Sequence, residues 1–347
     1  MDNSQTSILK TLWTRTKTDR WAMVGFKGLT LKPKAGFSSD YFLVDDQVEL
    51  LTSRPPRNIS DLSASFGSTS LLLKQSILPV VAWTDGGSVV RRIGTSFLIS
   101  CSGYLMTACH VLIDPEERGY GRVVRNGNTL LFKDELHMGV LLALNPAFFG
   151  ARSFMFFPFQ QSWCLGSWKE SPLFHERDTF DILTDVAICK ISEMPNGAAH
   201  QPLSLSLKAF TKGEQACAVG YSEMDDVALL AVDGGIQFDK FKQEIYVSVG
   251  EVMDVHPENH LSRDVPAPGP CFAFRARVPG KMSGSPIFGG DGAVVRGVVS
   301  RSFSSERHSY GAMLGPVMRL PLINSMSLKR MMDAQTEGIA KVQGAGF

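Results

Sequence analysis

Three short stretches bring a hydroxyl, an imidazole and a carboxylate into settings where they could work together. In "GKMSGSPIF", Gly280 to Phe288, Ser283 stands among small residues just ahead of a strand-like "PIF". Such a serine lies on a tight turn at the mouth of a hairpin, either as punctuation or as a nucleophile held away from the backbone. Serine alone is a poor nucleophile, so the second use demands a general base and an acid to orient it. Of seven histidines only His110 is well placed, after the strand-like "GYLMTA" and before "VLID". At a strand end on a barrel rim, an imidazole reaches a neighbouring hydroxyl. Asp185 heads the apolar run "VAICKI", and a carboxylate there must be solvated, capped or paired, because an unpaired buried one is expensive. An imidazole N–H would satisfy it and fix the tautomer whose other nitrogen accepts the serine proton. Taken singly, the three read as a turn residue, a structural histidine and a strand cap. His256 and His260 stand four apart in "HPENH", but Pro257 breaks a helix through both and the glutamate of the helical zinc motif is missing. No metal and no cofactor are expected.

The elements that must position these residues read as mostly β. From about Ile77, short β-rich runs recur between Gly, Asp and Asn turns, among them "ILPVVAW", "GTSFLIS", "TLLFK", "QACAVGY", "EIYVSVGEVMDV", "CFAFRA" and "AVVRGVVS". That spacing predicts a barrel or a sandwich. Residues 1–70 read as irregular, with a short helix near the start, a strand-like "YFLV" and a linker-like "SRPPRNISDLSASFGSTS". The tail 323–347 has helical character. The apolar, aromatic stretch 136–168 is interrupted by Asn145-Pro146, Gly150, Arg152 and Pro158, which argues against a membrane-spanning helix. It reads as an insertion or interface, part of a region 115–180 of loops over one rim.

With 347 residues, 44% of them hydrophobic, and a mean hydropathy of +0.01, the chain suits a globular protein with a sizeable core. A net charge of +1 gives no general field to attract nucleic acid. The mixed polar start "MDNSQTSILKTLWTRTKTDRW" lacks the apolar core of a secretory signal. Six cysteines, Cys101, Cys109, Cys164, Cys189, Cys217 and Cys271, make no C-x-x-C pair. Free buried thiols and no disulfide are therefore expected, and a cytoplasmic location with them.

In chain order, "TACHV", "TDVAICKI" and "GKMSGSPIF" resemble the trypsin-like, chymotrypsin-fold serine peptidases. The resemblance is particularly to the bacterial and intracellular branch related to the HtrA and glutamyl-endopeptidase families, which have "TAAHV", "DVALLKI" and "G-x-S-G-[GS]-P" at these places. The resemblance implies a double six-stranded antiparallel β-barrel over 71–322, with 1–70 as an N-terminal extension and a short C-terminal helix. It implies His110 as general base, Asp185 as its orienting partner and Ser283 as the nucleophile that forms an acyl-enzyme. Peptide hydrolysis follows, on a protein or peptide substrate and with no stable membrane span, and family analogy suggests a single companion protein cut in stress or defence. A catalytically dead peptide-binding module on the same fold is the alternative. The oxyanion hole falls to the backbone N–H groups of Ser283 and of Lys281, where the family usually has glycine, unless one inserted residue gives the role to Gly280. Arg277, six before the nucleophile, lies near the base of the specificity pocket if nothing is inserted, and otherwise Ala276 does. Ser300, Arg301 and Ser302 resemble the edge strand that pairs with substrate backbone. No "IVGG"-like site precedes "SILPVVAW", so folding without an activating cleavage is expected.

Overall fold

The computed structural model describes residues 76–334, apart from 86–88, 101, 118, 134, 144–153, 170–178, 192–201, 222–226, 229, 233–234, 238–244, 258–264, 266, 290–293 and 303–307. Outside that range it gives backbone strands only. Twelve strands build two closed barrels. The first uses β1 (Ile77–Thr84), β2 (Val89–Leu98), β3 (Tyr104–Thr107), β4 (Leu136–Ala143), β5 (Phe154–Lys169) and β6 (Thr179–Ile191). The second uses β7 (Gln215–Tyr221), β8 (Ile245–His256), β9 (Cys271–Phe274), β10 (Pro286–Gly289), β11 (Val295–Ser302) and β12 (Ser309–Met313). Both close in the same cyclic order, first, second, third, sixth, fifth, fourth. Closure removes the unpaired edges that an open sheet would expose.

Continuous apolar runs such as "ILPVVAW" and "DVAICKI" form these strands because they are covered inside the barrel and by neighbouring elements outside it. One core fills the first barrel and reaches the C-terminal segment, where Leu328, Met331 and Met332 of α2 (Leu328–Asp333) are buried at helical spacing. A second core fills the other barrel around Phe272, Phe274, Met282 and Ile287.

In the stretch 136–168, expected as an insertion or rim loops, the described residues instead form two barrel strands, β4 and β5. Leu141 faces Phe156 and Gly139 faces Pro158 across their ladder. The aromatic run is apolar because it forms a barrel wall, and Pro158 lies within one of its strands. The start of the chain also departs from expectation. Strands at Thr11–Arg15 and Trp21–Phe26 stand where a helix and irregular chain were read, whereas the strand at Asp40–Leu43 falls where one was expected. The last of them, the run read as strand-like, pairs with β8, Phe42 opposite Tyr246.

Two irregularities in the ladders free residues from regular pairing. Along β5 and β6 the register jumps between Cys164 and Gly166, so that residues 183–186 of β6 stand outside the pairing. Along β11 and β12 it jumps between Val299 and Ser302. Bulges of this kind re-aim side chains. One frees Asp185, the other frees Ser300 and Arg301.

Candidate active site

His110 is the second residue of α1 (Cys109–Glu117), which begins two residues after β3 ends. A helix start leaves backbone N–H groups without intrahelical partners, and Asp185 meets one of them. Its Oδ1 accepts from the His110 backbone N–H at 3.0 Å, and its Oδ2 lies 2.7 Å from His110 Nδ1. Ser300 Oγ adds a third donor, 2.5 Å from Oδ2. With only 1% of its side chain exposed, Asp185 is a buried carboxylate whose desolvation is answered by three hydrogen bonds.

That clamp sets the electrostatics of the pair. Burial pushes the Asp185 pKa up, but the charge and hydrogen bond of His110, with the Ser300 bond, hold it below the ordinary carboxylate value. Burial likewise pushes the His110 pKa down, yet the Asp185 charge and bond, helped by Asp114 and opposed by Arg301, carry it above the ordinary histidine value. Donating from Nδ1 to the carboxylate leaves Nε2 of the neutral ring as an acceptor.

Ser283 rides on a turn built by backbone conformation. Lys281 has φ +71° and Gly284 φ +86°, both in the left-handed region. A Cβ on Gly284 would come within 2.1 Å of the Thr95 carbonyl, so only glycine fits there. Lys281 has no such excuse, and its conformation costs about 1–2 kcal/mol. Gly280, the alternative donor, does not have positive φ. The left-handed position two before Ser283 is therefore Lys281 itself. Threonines of the first barrel pin the turn from below. The Thr95 N–H donates to the Ser283 carbonyl at 2.8 Å, Thr95 Oγ1 to the Lys281 carbonyl at 3.1 Å, and Thr107 Oγ1 to the Thr95 carbonyl at 2.7 Å. Sequence reasoning missed these threonines, whose only signal was a small polar side chain inside otherwise apolar strands.

Ser283 and the His110–Asp185 pair are joined through Ser300. Ser283 Oγ donates to the Ser300 carbonyl at 3.4 Å, while the Ser300 hydroxyl holds Asp185. Among the described residues, no hydrogen bond links Ser283 Oγ directly to the imidazole. Such catalytic contacts often tighten only when substrate binds. Ser300, expected among the substrate contacts, is buried, and its hydroxyl serves Asp185. Arg301 and Ser302 are exposed. Arg277 is half-buried, and its carbonyl accepts from Ser248 Oγ at 2.8 Å. Ala276 belongs to the core of the second barrel. Of the acids that shortly precede Asp185 in the chain, Asp181 stands opposite Ser167 in the β5–β6 ladder, and Asp178 lies outside the described residues.

The expectation that every thiol is free is corrected. Cys109 and Cys164 form a disulfide, with Cα atoms 6.0 Å apart, within the range that a bridge demands. It ties the first residue of α1 to β5. The pair escaped sequence reasoning because the two cysteines lie 55 residues apart and meet only once the barrel closes. The thiol-based ground for a reducing compartment goes with it. Cys189, Cys217 and Cys271 are free and buried, and burial pushes their thiols up to about 12, 12 and 11. Cys101 lies outside the described residues.

Comparison with known proteins gives one family. The profile described as the trypsin-like peptidase domain matches residues 94–295, more than half of the chain. No curated protein matches. Similar solved structures include the active form of the Rv3671c protease from M. tuberculosis, with 16% identity, 79% of this chain and 85% of that one covered, and a TM-score of 0.35. Deg5 is 14% identical over 76% of this chain and 93% of its own, with a TM-score of 0.42. The HtrA-type protease AlgW, solved with a decapeptide, is 13% identical over 69% of this chain and 60% of its own, with a TM-score of 0.37.

Proposed function

The chain belongs to the trypsin-like peptidase domain family, and from that premise we propose that it is a serine endopeptidase working through His110, Asp185 and Ser283. The observation that carries this reading is the Asp185 clamp, which holds the ring of His110 in one tautomer beside the Ser283 turn. His110 Nε2 takes the Ser283 proton as Oγ attacks the scissile carbonyl, and returns it to the leaving amine. Asp185 stays ionised and stabilises the imidazolium. Developing negative charge on the carbonyl oxygen falls to the backbone N–H groups of Ser283 and Lys281. Water then repeats the sequence on the acyl-enzyme.

A second reading, a peptide-binding module without turnover, draws on the Ser283 hydroxyl being bonded to the Ser300 carbonyl. A fluorophosphonate probe separates the two. The peptidase reading expects one adduct on the peptide that contains Ser283, absent from Ser283→Ala. An intact protein that takes up no probe supports the binding module.

A further inference from the structure

We infer that Arg301 selects an acidic substrate side chain, aspartate or glutamate, at the position one before the residue whose carbonyl is cleaved. This rests on the reading of 300–302 as the edge that receives substrate. The ladder between β10 and β11 stops at Pro286 opposite Val298, and beyond it the backbone bonds between Gly284, Ser285 and Val299 continue the contact between the two segments. The bulge between Val299 and Ser302 takes Ser300 and Arg301 out of register with β12 as well. A stretch free of ladder pairing thus begins beside Ser283 at Ser300, itself buried with its carbonyl accepting from Ser283 Oγ at 3.4 Å, and comes to the surface at Arg301.

A peptide strand laid antiparallel along this edge has its register set by the chemistry. The residue contributing the scissile carbonyl must sit at Ser283 and hence opposite Ser300. The preceding residue then stands directly opposite Arg301, and facing residues share one side of a sheet with Cβ atoms about 4.5–5.5 Å apart. Side chains alternate along a strand. Ser300 points inward to Asp185, so Arg301 points outward, to the face where that substrate side chain lies. Arg301 is exposed and makes no ion pair among the described residues. Its charge is near enough to the imidazole to lower the proton affinity of His110, which places it on the side of the groove where the base works. A guanidinium there meets a carboxylate through charge-assisted, two-pronged hydrogen bonds and repels a lysine.

The test uses the full chain and internally quenched peptide libraries that differ only in a fixed Glu, Gln or Lys at the position opposite Arg301. The wild type is expected to cleave the Glu library about fivefold faster than the Lys library, the scale of a solvent-exposed charge pair. Arg301→Glu should invert that order, and about 0.5 M salt should shrink the ratio. Equal Glu-to-Lys ratios in the wild type and Arg301→Glu overturn the inference while leaving the peptidase reading intact. If the wild type cleaves no library, the peptidase reading fails, and the decision passes to binding of the same peptides, fluorescently labelled, to Ser283→Ala. Tighter binding of Glu than Lys, reversed by adding Arg301→Glu, supports the inference. Equal affinities, or no binding at all, overturn it.

Discussion

His110 and Ser283, the proposed base and nucleophile, are held by opposite means. On the first-barrel side, His110 is fixed by side-chain bonds: three donors on Asp185 and a disulfide at the head of the helix. On the second-barrel side, Ser283 is fixed by backbone shape, with left-handed residues on either side of it and carbonyls pinned by Thr95. The first arrangement stores favourable contacts and the second stores strain. Substitutions should therefore lower stability in one half and in places raise it in the other.

The sharpest contrast is between Ser283 and Asp185. Ser283→Ala removes a single 3.4 Å hydrogen bond, so thermal unfolding should hardly move, while kcat for peptide hydrolysis falls on the order of 10⁶-fold. Asp185→Asn should lower kcat by about 10⁴ through the wrong tautomer. It should also lower Tm, because a carboxylate that takes three donors becomes an amide that presents donors of its own. Asp181→Asn, on the regular ladder, should stay within a few-fold of wild type. A crippled Asp181→Asn beside a normal Asp185→Asn would break the comparison at its root.

Smaller effects probe what each half is made of. Cys164→Ala opens the bridge to α1 and should cost about 2–4 kcal/mol in denaturant unfolding, with kcat reduced as the helix start loosens. Reduced wild type should match it. If neither change moves stability, the disulfide does not tie the base in place. In the other half, Lys281→Gly should gain up to about 1 kcal/mol, since glycine adopts φ +71° without the Cβ clash, less what its freer unfolded chain costs. A loss of stability there would show that the lysine side chain supplies something larger than the strain.

The same division explains what the sequence made legible. His110, Asp185 and Ser283 announce themselves by residue type and by the strands beside them, and the double barrel follows from the resemblance that those motifs carry. The functions of Thr95, Thr107 and the Ser300 hydroxyl depend on how two barrels meet, and no local pattern encodes that. The Cys109–Cys164 bridge depends on closure between α1 and β5, two elements far apart in the chain. The stretch 136–168 misled because an aromatic wall and an aromatic insertion have the same composition, and only pairing with β1 and β6 distinguishes them.

The central claim is that Asp185 holds His110 as the base for Ser283, and the pH dependence of fluorophosphonate labelling tests it most directly. Reaction requires neutral His110. The clamp raises the His110 pKa above its ordinary value, through Asp185 and Asp114 against burial and Arg301. The labelling rate of the full chain should therefore fall as pH drops through a midpoint above about 6.5. Asp114→Asn should move that midpoint down and Arg301→Gln should move it up. A rate that is flat across this range, or an adduct on a residue other than Ser283, would contradict the account.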